Sequence, residues 1–376
     1  AQDIGEQTTV SLITCGSGSE LYSTFGHSAL HIFDPTTGLD RVYNYGTFDF
    51  DTPNFYVKFA RGQLNYFLNV TDFNRFVGNY AYEGRWVYRQ ELNLTIEQKT
   101  EIFAFLETNA LPQNKFYKYD FFYDNCSTRL RDAIEGLLGE SLVYPAAPAD
   151  TTATFRELID LYLLDLPWSD LGIDLALGLP CDKEANYREK MFLPDYLMAN
   201  LGKAKILRDG EMVSLIEKQG LVLAENPKLT SSSASPILWI FWVLMIFSVI
   251  TGLFINPNKM KWFDILLFTS VGILGIVITL LWFATEHTAT KWNLNLIWAL
   301  PTWIWGAILL ILNKPSSKFF KIHAIITFTI MVFWIVIPQS FHDAVIPIVL
   351  ALAARSWSWQ KRRFIIKKAT KDAVTA

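Results

Sequence analysis

Along this chain apolar positions first come in short mixed runs and then merge into long ones. Up to about residue 230, "TTVSLITC", "FGHSALHIFD", "DRVYNYGTF", "QLNYFLNV" and "RWVYRQELNL" are β-branched or aromatic runs bounded by Gly, Asp or Asn, which predicts strands. Between them "PNFYVKFA" and "DFNRFVGNY" predict short helices. "TIEQKTEIFAFLETNA" predicts a firmer one, because Thr95 and Gln98 have capping-box spacing ahead of Ile102, Phe105 and Leu106. "NCSTRLRDAIEGLLGE" puts Leu130, Ile134, Leu137 and Leu138 on one stripe and predicts a helix capped by Asp124 or Asn125. The expected class of residues 1–230 is α+β.

From Pro236 onward the apolar runs lengthen. A bilayer core takes about 20 apolar residues per helix, and five stretches approach that length: Pro236–Ile255, Phe263–Phe283, Leu296–Leu312, Ile322–Ile337 and Ala344–Ala354. The fifth is short and holds Pro347, so four helices plus a re-entrant segment is the competing count. Lys259 and Lys261 lie in the first loop, Lys314, Lys318 and Lys321 in the third, and Lys361, Arg362, Arg363, Lys367 and Lys368 in the tail. The second loop has only Lys291 and the fourth no basic residue. Positive charge marks cytoplasmic loops, so five spans leave residues 1–230 outside the cytoplasm, ahead of an all-α membrane domain over 231–376 with a cytoplasmic C-terminus. "NPKLTSSSASP", residues 226–236, is the expected linker. The start "AQDIGEQTTV" has neither a charged n-region nor an apolar h-region, as expected once a signal peptide has been removed.

Charge adds an exclusion. A net charge of -3 with 18% charged residues gives no global field, which argues against a nucleic-acid partner.

Three cysteines in an exported domain suggest one bridge and one free thiol. Cys15 follows "VSLIT" and Cys181 lies in "GLPCDK", neither beside a helix start or a basic partner; the expected pair is Cys15 with Cys181, and two isolated reduced cysteines are the alternative. Cys126 is then the free one. It falls in the first turn of its helix, where unpaired N–H groups and the positive helix end favour a thiolate.

A nucleophilic thiol needs an imidazole as base, and the imidazole needs a third group to hold its tautomer. His27 and His31 share one strand face, and His27 is the candidate base. On the next strand Asn44 is the candidate orienting group, with Tyr43 and Tyr45 on the opposite face. His31, Tyr43, Tyr45, Asn125 and Arg129 are candidate substrate contacts; the Arg129 guanidinium suits a lipid phosphate, and surface charge or packing is the plainer reading. No metal-ligand spacing and no glycine-rich phosphate loop occurs, so no cofactor or metal is expected.

"FGHSALHIFDPTTG", "VYNYGTFDFDTPNFYVKFARGQLNYFL" and "YDFFYDNCSTRLRD" together resemble the extracytoplasmic domain of the Lnb family, lipoprotein N-acyltransferases of Bacteroides-type bacteria. The resemblance spans most of residues 9–200 and extends to the helical tail. It implies a circularly permuted papain-like fold of the NlpC type, in which the histidine strand precedes the cysteine helix, followed by about five transmembrane helices. Residue by residue it implies Cys126 as nucleophile and His27 as base, with Asn44 in the third position by analogy only, since relatives of this fold often carry His or Glu there. The implied partners are a phospholipid acyl donor and a diacylated lipoprotein acceptor at the bacterial inner membrane, the N-terminal domain lying in the periplasm. A cysteine phospholipase, a cell-wall peptidase or amidase, and a non-enzymatic tethered scaffold remain alternatives.

Overall fold

Seven antiparallel strands make the sheet of the N-terminal part in the computed structural model, which describes residues 4–145, 152–226 and 237–374. In chain order the first elements are β1 (Thr9–Cys15), β2 (His27–Asp34), β3 (Leu39–Thr47), α1 (Phe55–Ala60), β4 (Asn65–Thr71), α2 (Phe73–Glu83), β5 (Val87–Leu92), α3 (Ile96–Ala110), β6 (Phe116–Lys118) and α4 (Cys126–Leu138). Then come β7 (Leu142–Val143), α5 (Phe155–Asp160), α6 (Pro167–Ala176), α7 (Pro194–Lys203), β8 (Lys205–Arg208), β9 (Glu211–Ser214) and β10 (Ile216–Leu223). The large sheet runs β10-β5-β1-β2-β3-β4-β6, and β7-β8-β9 form a second, small sheet.

Both faces of the large sheet are covered, so its central strands are nearly continuous apolar runs. On one face Leu12, Leu30, Ile32, Tyr43 and Tyr45 pack with Ile102 and Leu106 of α3, Leu130 and Ile134 of α4, and Leu197 and Leu201 of α7. On the other, Ile13, Cys15, Ala29, Val42 and Val87 are covered by Phe76 and Tyr80 of α2. Register sets the site: Cys15 pairs with His27, Leu30 with Tyr43 and Asn44 with Asn69. After Asn44 the β3–β4 ladder is interrupted, and Gly46 there has φ +85°. Without a Cβ, glycine takes that conformation freely.

The chain divides into two compact units, residues 1–166 with 183–233, and residues 167–182 with 234–376. A single division near 230 was expected; instead 167–182 belongs with the C-terminal helices. The reason is a set of backbone partners: Asn293 Nδ2 donates to the carbonyls of Leu175 (2.9 Å) and Ala176 (3.1 Å), Gly178 N to Ala289 O (2.8 Å), and Ser340 N to Asp182 Oδ1 (2.9 Å).

The second unit holds helices Ile237–Phe254, Lys261–Phe283, Trp303–Ile311, Ser317–Val332 and Val345–Val374. By length and composition, one stretch among the described residues, Pro257–Phe283, is long and apolar enough to cross a bilayer. The apolar run 296–312 is divided around Pro301 into a 3-10 turn at Leu294–Ile297 and the short helix Trp303–Ile311. The run 322–337 ends in a second turn at Trp334–Val336. Within this unit Arg355 and Asp264 are fully buried and paired through two contacts, Nε–Oδ1 at 2.6 Å and Nη2–Oδ2 at 2.8 Å. Thr251 Oγ1 accepts from Arg355 Nη1 at 2.9 Å, and Trp359 Nε1 donates to Asp264 at 2.7 Å. The expected linker lies, from residue 227 on, outside the described residues, as does the start "AQD".

Candidate active site

Cys126 is the first residue of α4, and what holds it there is Asn125. The Asn125 Oδ1 accepts from the N–H groups of Ser127 (2.9 Å) and Thr128 (2.8 Å), while Thr128 Oγ1 accepts from Asn125 N at 2.8 Å, a reciprocal cap. Its Nδ2 donates to Phe121 O and Phe192 O, both at 2.8 Å. All four bonds are structural, so this side chain has no capacity left for substrate. The cap fixes the angle at which the thiol leaves the helix.

His27 sits at the start of β2, half-buried, with its Nε2 2.5 Å from Asn44 Oδ1. An amide oxygen carries no hydrogen, so Nε2 donates and Nδ1 is left as the working nitrogen. The imidazole also hydrogen-bonds to the Cys126 thiol. Thiol, imidazole and amide oxygen therefore form one connected row.

Ionisation separates the two buried cysteines of the sheet unit. Burial alone would raise both. At Cys126 this is outweighed by the charge and hydrogen bond of His27, by the Ser28 N–H and by the Ser127 hydroxyl, so the thiol lies below its ordinary pKa. At Cys15 burial prevails over the opposing Arg85 charge, and the thiol is pushed up to about 12. A lowered thiol favours the nucleophilic thiolate and a raised one disfavours it, so of the two Cys126 is the candidate nucleophile.

The expected bridge between Cys15 and Cys181 is not formed: all three cysteines are buried and none is in a disulfide. Cys15 ends β1, a central strand of the sheet, on the face covered by α2, and Cys181 Sγ donates to Ala289 O at 3.4 Å within the other unit. An odd count carries no distance information, which is why the pairing went astray.

The remaining expected contacts have other employment. His31 is buried, stacked on Phe73 at 4.3 Å and bonded through Nε2 to Asp40 at 2.9 Å. Tyr43 donates to Glu107 at 2.6 Å beneath the sheet, and Tyr45 is 2% exposed in the core. Arg129 lies one turn from Cys126 but is locked in a bidentate pair with Asp124 (2.6 and 2.8 Å) over the Tyr117 ring. Of the eight expected positions outside the disulfide, the structure brings together Cys126, His27 and Asn44, with Asn125 as the cap.

Three residues at the site were missed, Ser28, Gly46 and Tyr66. Ser28 supplies its N–H to the thiol and its hydroxyl to Ser127 at 3.0 Å, joining β2 to α4. Gly46 approaches so closely that an added Cβ would lie 3.6 Å from Cys126 Cβ and 3.5 Å from the Tyr119 ring. A glycine inside a strand pattern signals such an approach, so that one was readable. Tyr119 and Tyr66, stacked at 4.4 Å, extend an aromatic wall from Gly46.

The row can form a thiolate–imidazolium pair, attack a carbonyl and return a proton to a leaving group. A model of the Lnb N-terminal periplasmic domain matches residues 2–159, and a model of the Lnb transmembrane domain matches residues 228–368. Neither the curated proteins nor the solved structures provide a match. A mixed α/β sheet unit with a thiol row, joined in one chain to a helical transmembrane region and matched in both parts by one family, identifies the chain as a membrane protein of the Lnb family.

Proposed function

We propose that this protein is a lipoprotein N-acyltransferase, carrying an acyl chain from a phospholipid through a Cys126 thioester to the α-amino group of a diacylated lipoprotein. The observation that carries the reading is the Cys126–His27–Asn44 row with its lowered thiol, in a chain that the family ties to a membrane. The same trio serves papain-like cysteine enzymes, and the histidine strand precedes the cysteine helix as a permuted member of that class requires. Lys and Arg in the short loops favour five spans with the C-terminus in the cytoplasm.

In the first half-reaction the Cys126 thiolate attacks the ester carbonyl of a phospholipid. The ester C–O bond breaks as the His27 imidazolium gives its proton to the departing lysophospholipid oxygen, leaving a thioester and a neutral imidazole. The lipoprotein amine then attacks the thioester, His27 takes the amine proton, and the C–S bond breaks to restore the thiolate–imidazolium pair. The Cys126 N–H, in the first turn of α4 where helix N–H groups lack intrahelical partners, is the candidate donor for the oxyanion of both steps. Asn44 keeps Nδ1 of His27 facing the sulfur throughout.

The test is the intact mass of the detergent-solubilised protein after exposure to phospholipid alone, beside a Cys126→Ala control. A hydroxylamine-labile acyl adduct on Cys126 is expected, and diacylated lipopeptide should discharge it to an N-acyl product. Discharge to free fatty acid would make the protein a phospholipase, and no adduct in folded protein would remove acyl transfer in favour of a peptidase or a scaffold.

A further inference from the structure

The segment between β3 and β4 is unlike the rest of the sheet unit. Its six-residue helix α1, "FYVKFA", has no buried residue and no side-chain cap. Tyr56 is 79% exposed and Phe50, just before the helix, 64%. A helix this short is not stable in water by propensity, so its own energetics call for an apolar partner. An aromatic ladder also leads inward from it: Phe55 to Phe50 at 4.9 Å, Phe50 to Phe48 at 5.0 Å, Phe48 to Tyr66 at 5.5 Å, and Tyr66 to Tyr119 at 4.4 Å. Tyr119 is the ring that an added Cβ on Gly46 would touch together with Cys126.

We infer that α1 and Phe50 form a membrane-contact surface, inserting into the headgroup region of a phospholipid bilayer and giving a lipid acyl ester an apolar route to Cys126. Three observations select lipid as the occupant. The chain carries a transmembrane domain, so a bilayer is always tethered to this unit. Phe and Tyr are the side chains suited to an interface with one apolar and one wet side. The exposed rings are continuous with the ladder that ends at Tyr119, the ring beside Gly46 on the side of Cys126, as expected for a surface through which an insoluble donor enters. Lys58 and Arg61 are offset by Asp49 and Asp51, so insertion depends on aromatic area and not on anionic lipid. The inference deepens the acyl-transfer reading by naming the face that meets the donor.

The experiment uses the full chain in phosphatidylcholine vesicles. Tyr56→Cys is labelled with an environment-sensitive fluorophore in a Cys126→Ser background, Cys15 and Cys181 being fully buried, and is quenched with lipids spin-labelled near the headgroup. A label at Glu211→Cys, an exposed position on β9, is the control. Quenching at 56 severalfold stronger than at 211 is expected; equal quenching overturns the surface and leaves another protein as the occupant of α1. A Phe50→Ser/Tyr56→Ser variant of the otherwise natural chain should need more phospholipid to form the acyl adduct while iodoacetamide alkylates Cys126 at its usual rate. Unchanged phospholipid dependence counts against the surface. Strong quenching without any acyl adduct would keep the surface and remove acyl transfer, so the two readings fail separately.

Discussion

Cys126 and Cys15 are the same residue type, buried in the same unit, and differ in what surrounds the sulfur. His27, the Ser28 N–H and the Ser127 hydroxyl compensate burial at the one, and nothing comparable overcomes it at the other. The rate of alkylation by iodoacetamide should therefore rise with pH through a thiol pKa below the ordinary value at Cys126, with Cys15 silent at neutral pH. Removing His27 takes away the two leading opponents of burial, so in His27→Ala the alkylation profile moves to higher pH, and acyl transfer at neutral pH falls by about 10²–10⁴-fold. In Asn44→Ala the thiol keeps its imidazole but the tautomer is no longer held, and a smaller loss, roughly tenfold or more, is expected in single-turnover acylation. This trio was legible in the sequence because chemistry restricts which residue types can occupy it. The disulfide was not, because pairing depends on distance; Asn125 was expected both as a cap and as a substrate contact, and the four partners of its amide leave only the cap.

At the scale of elements, α4 shows why a cap belongs to the chemistry. Asn125→Ala loses the cap, about 1 kcal/mol, and leaves the carbonyls of Phe121 and Phe192 without their amide partner at about 1 kcal/mol each. Thermal unfolding should register a drop in Tm, and acylation should fall further than the stability loss explains because Cys126 loses its fixed exit angle. Gly46→Ala tests the neighbouring strand: a Cβ must be held at φ +85° while pressed between Tyr119 and Cys126, so a slower acylation with Cys126 and His27 intact is the expected outcome. Strands β1 to β5 and helices α1 to α4 follow the apolar pattern within a few residues. The elements between α4 and residue 226 were not anticipated. β10, "IEKQGLVL", is largely exposed at the edge of the sheet, and only Ile216 is buried, so no burial pattern betrays that it pairs with β5.

Across the whole molecule the helical unit contains an ion pair with no exposure on either side, Arg355 with Asp264. Removing one partner strands the other charge, so Arg355→Met should cost about 3–5 kcal/mol, and Asp264→Leu/Arg355→Met should recover most of it; unfolding in detergent distinguishes the two. A sequence shows that a charge such as Arg355 is near an apolar run but not that a carboxylate about ninety positions earlier meets it. The chain also changes unit three times, after 166, after 182 and after 233. A protease nick placed near residue 230 would therefore not liberate a soluble enzyme: the upstream fragment still owns residues 167–182, which remain stitched to Ala289, Asn293 and Ser340. The two pieces should copurify from detergent as a clipped but intact molecule. A truncated gene ending there would instead expose Leu171, which packs with Ala344, so recombinant production of the sheet unit alone would call for excising residues 167–182 as well.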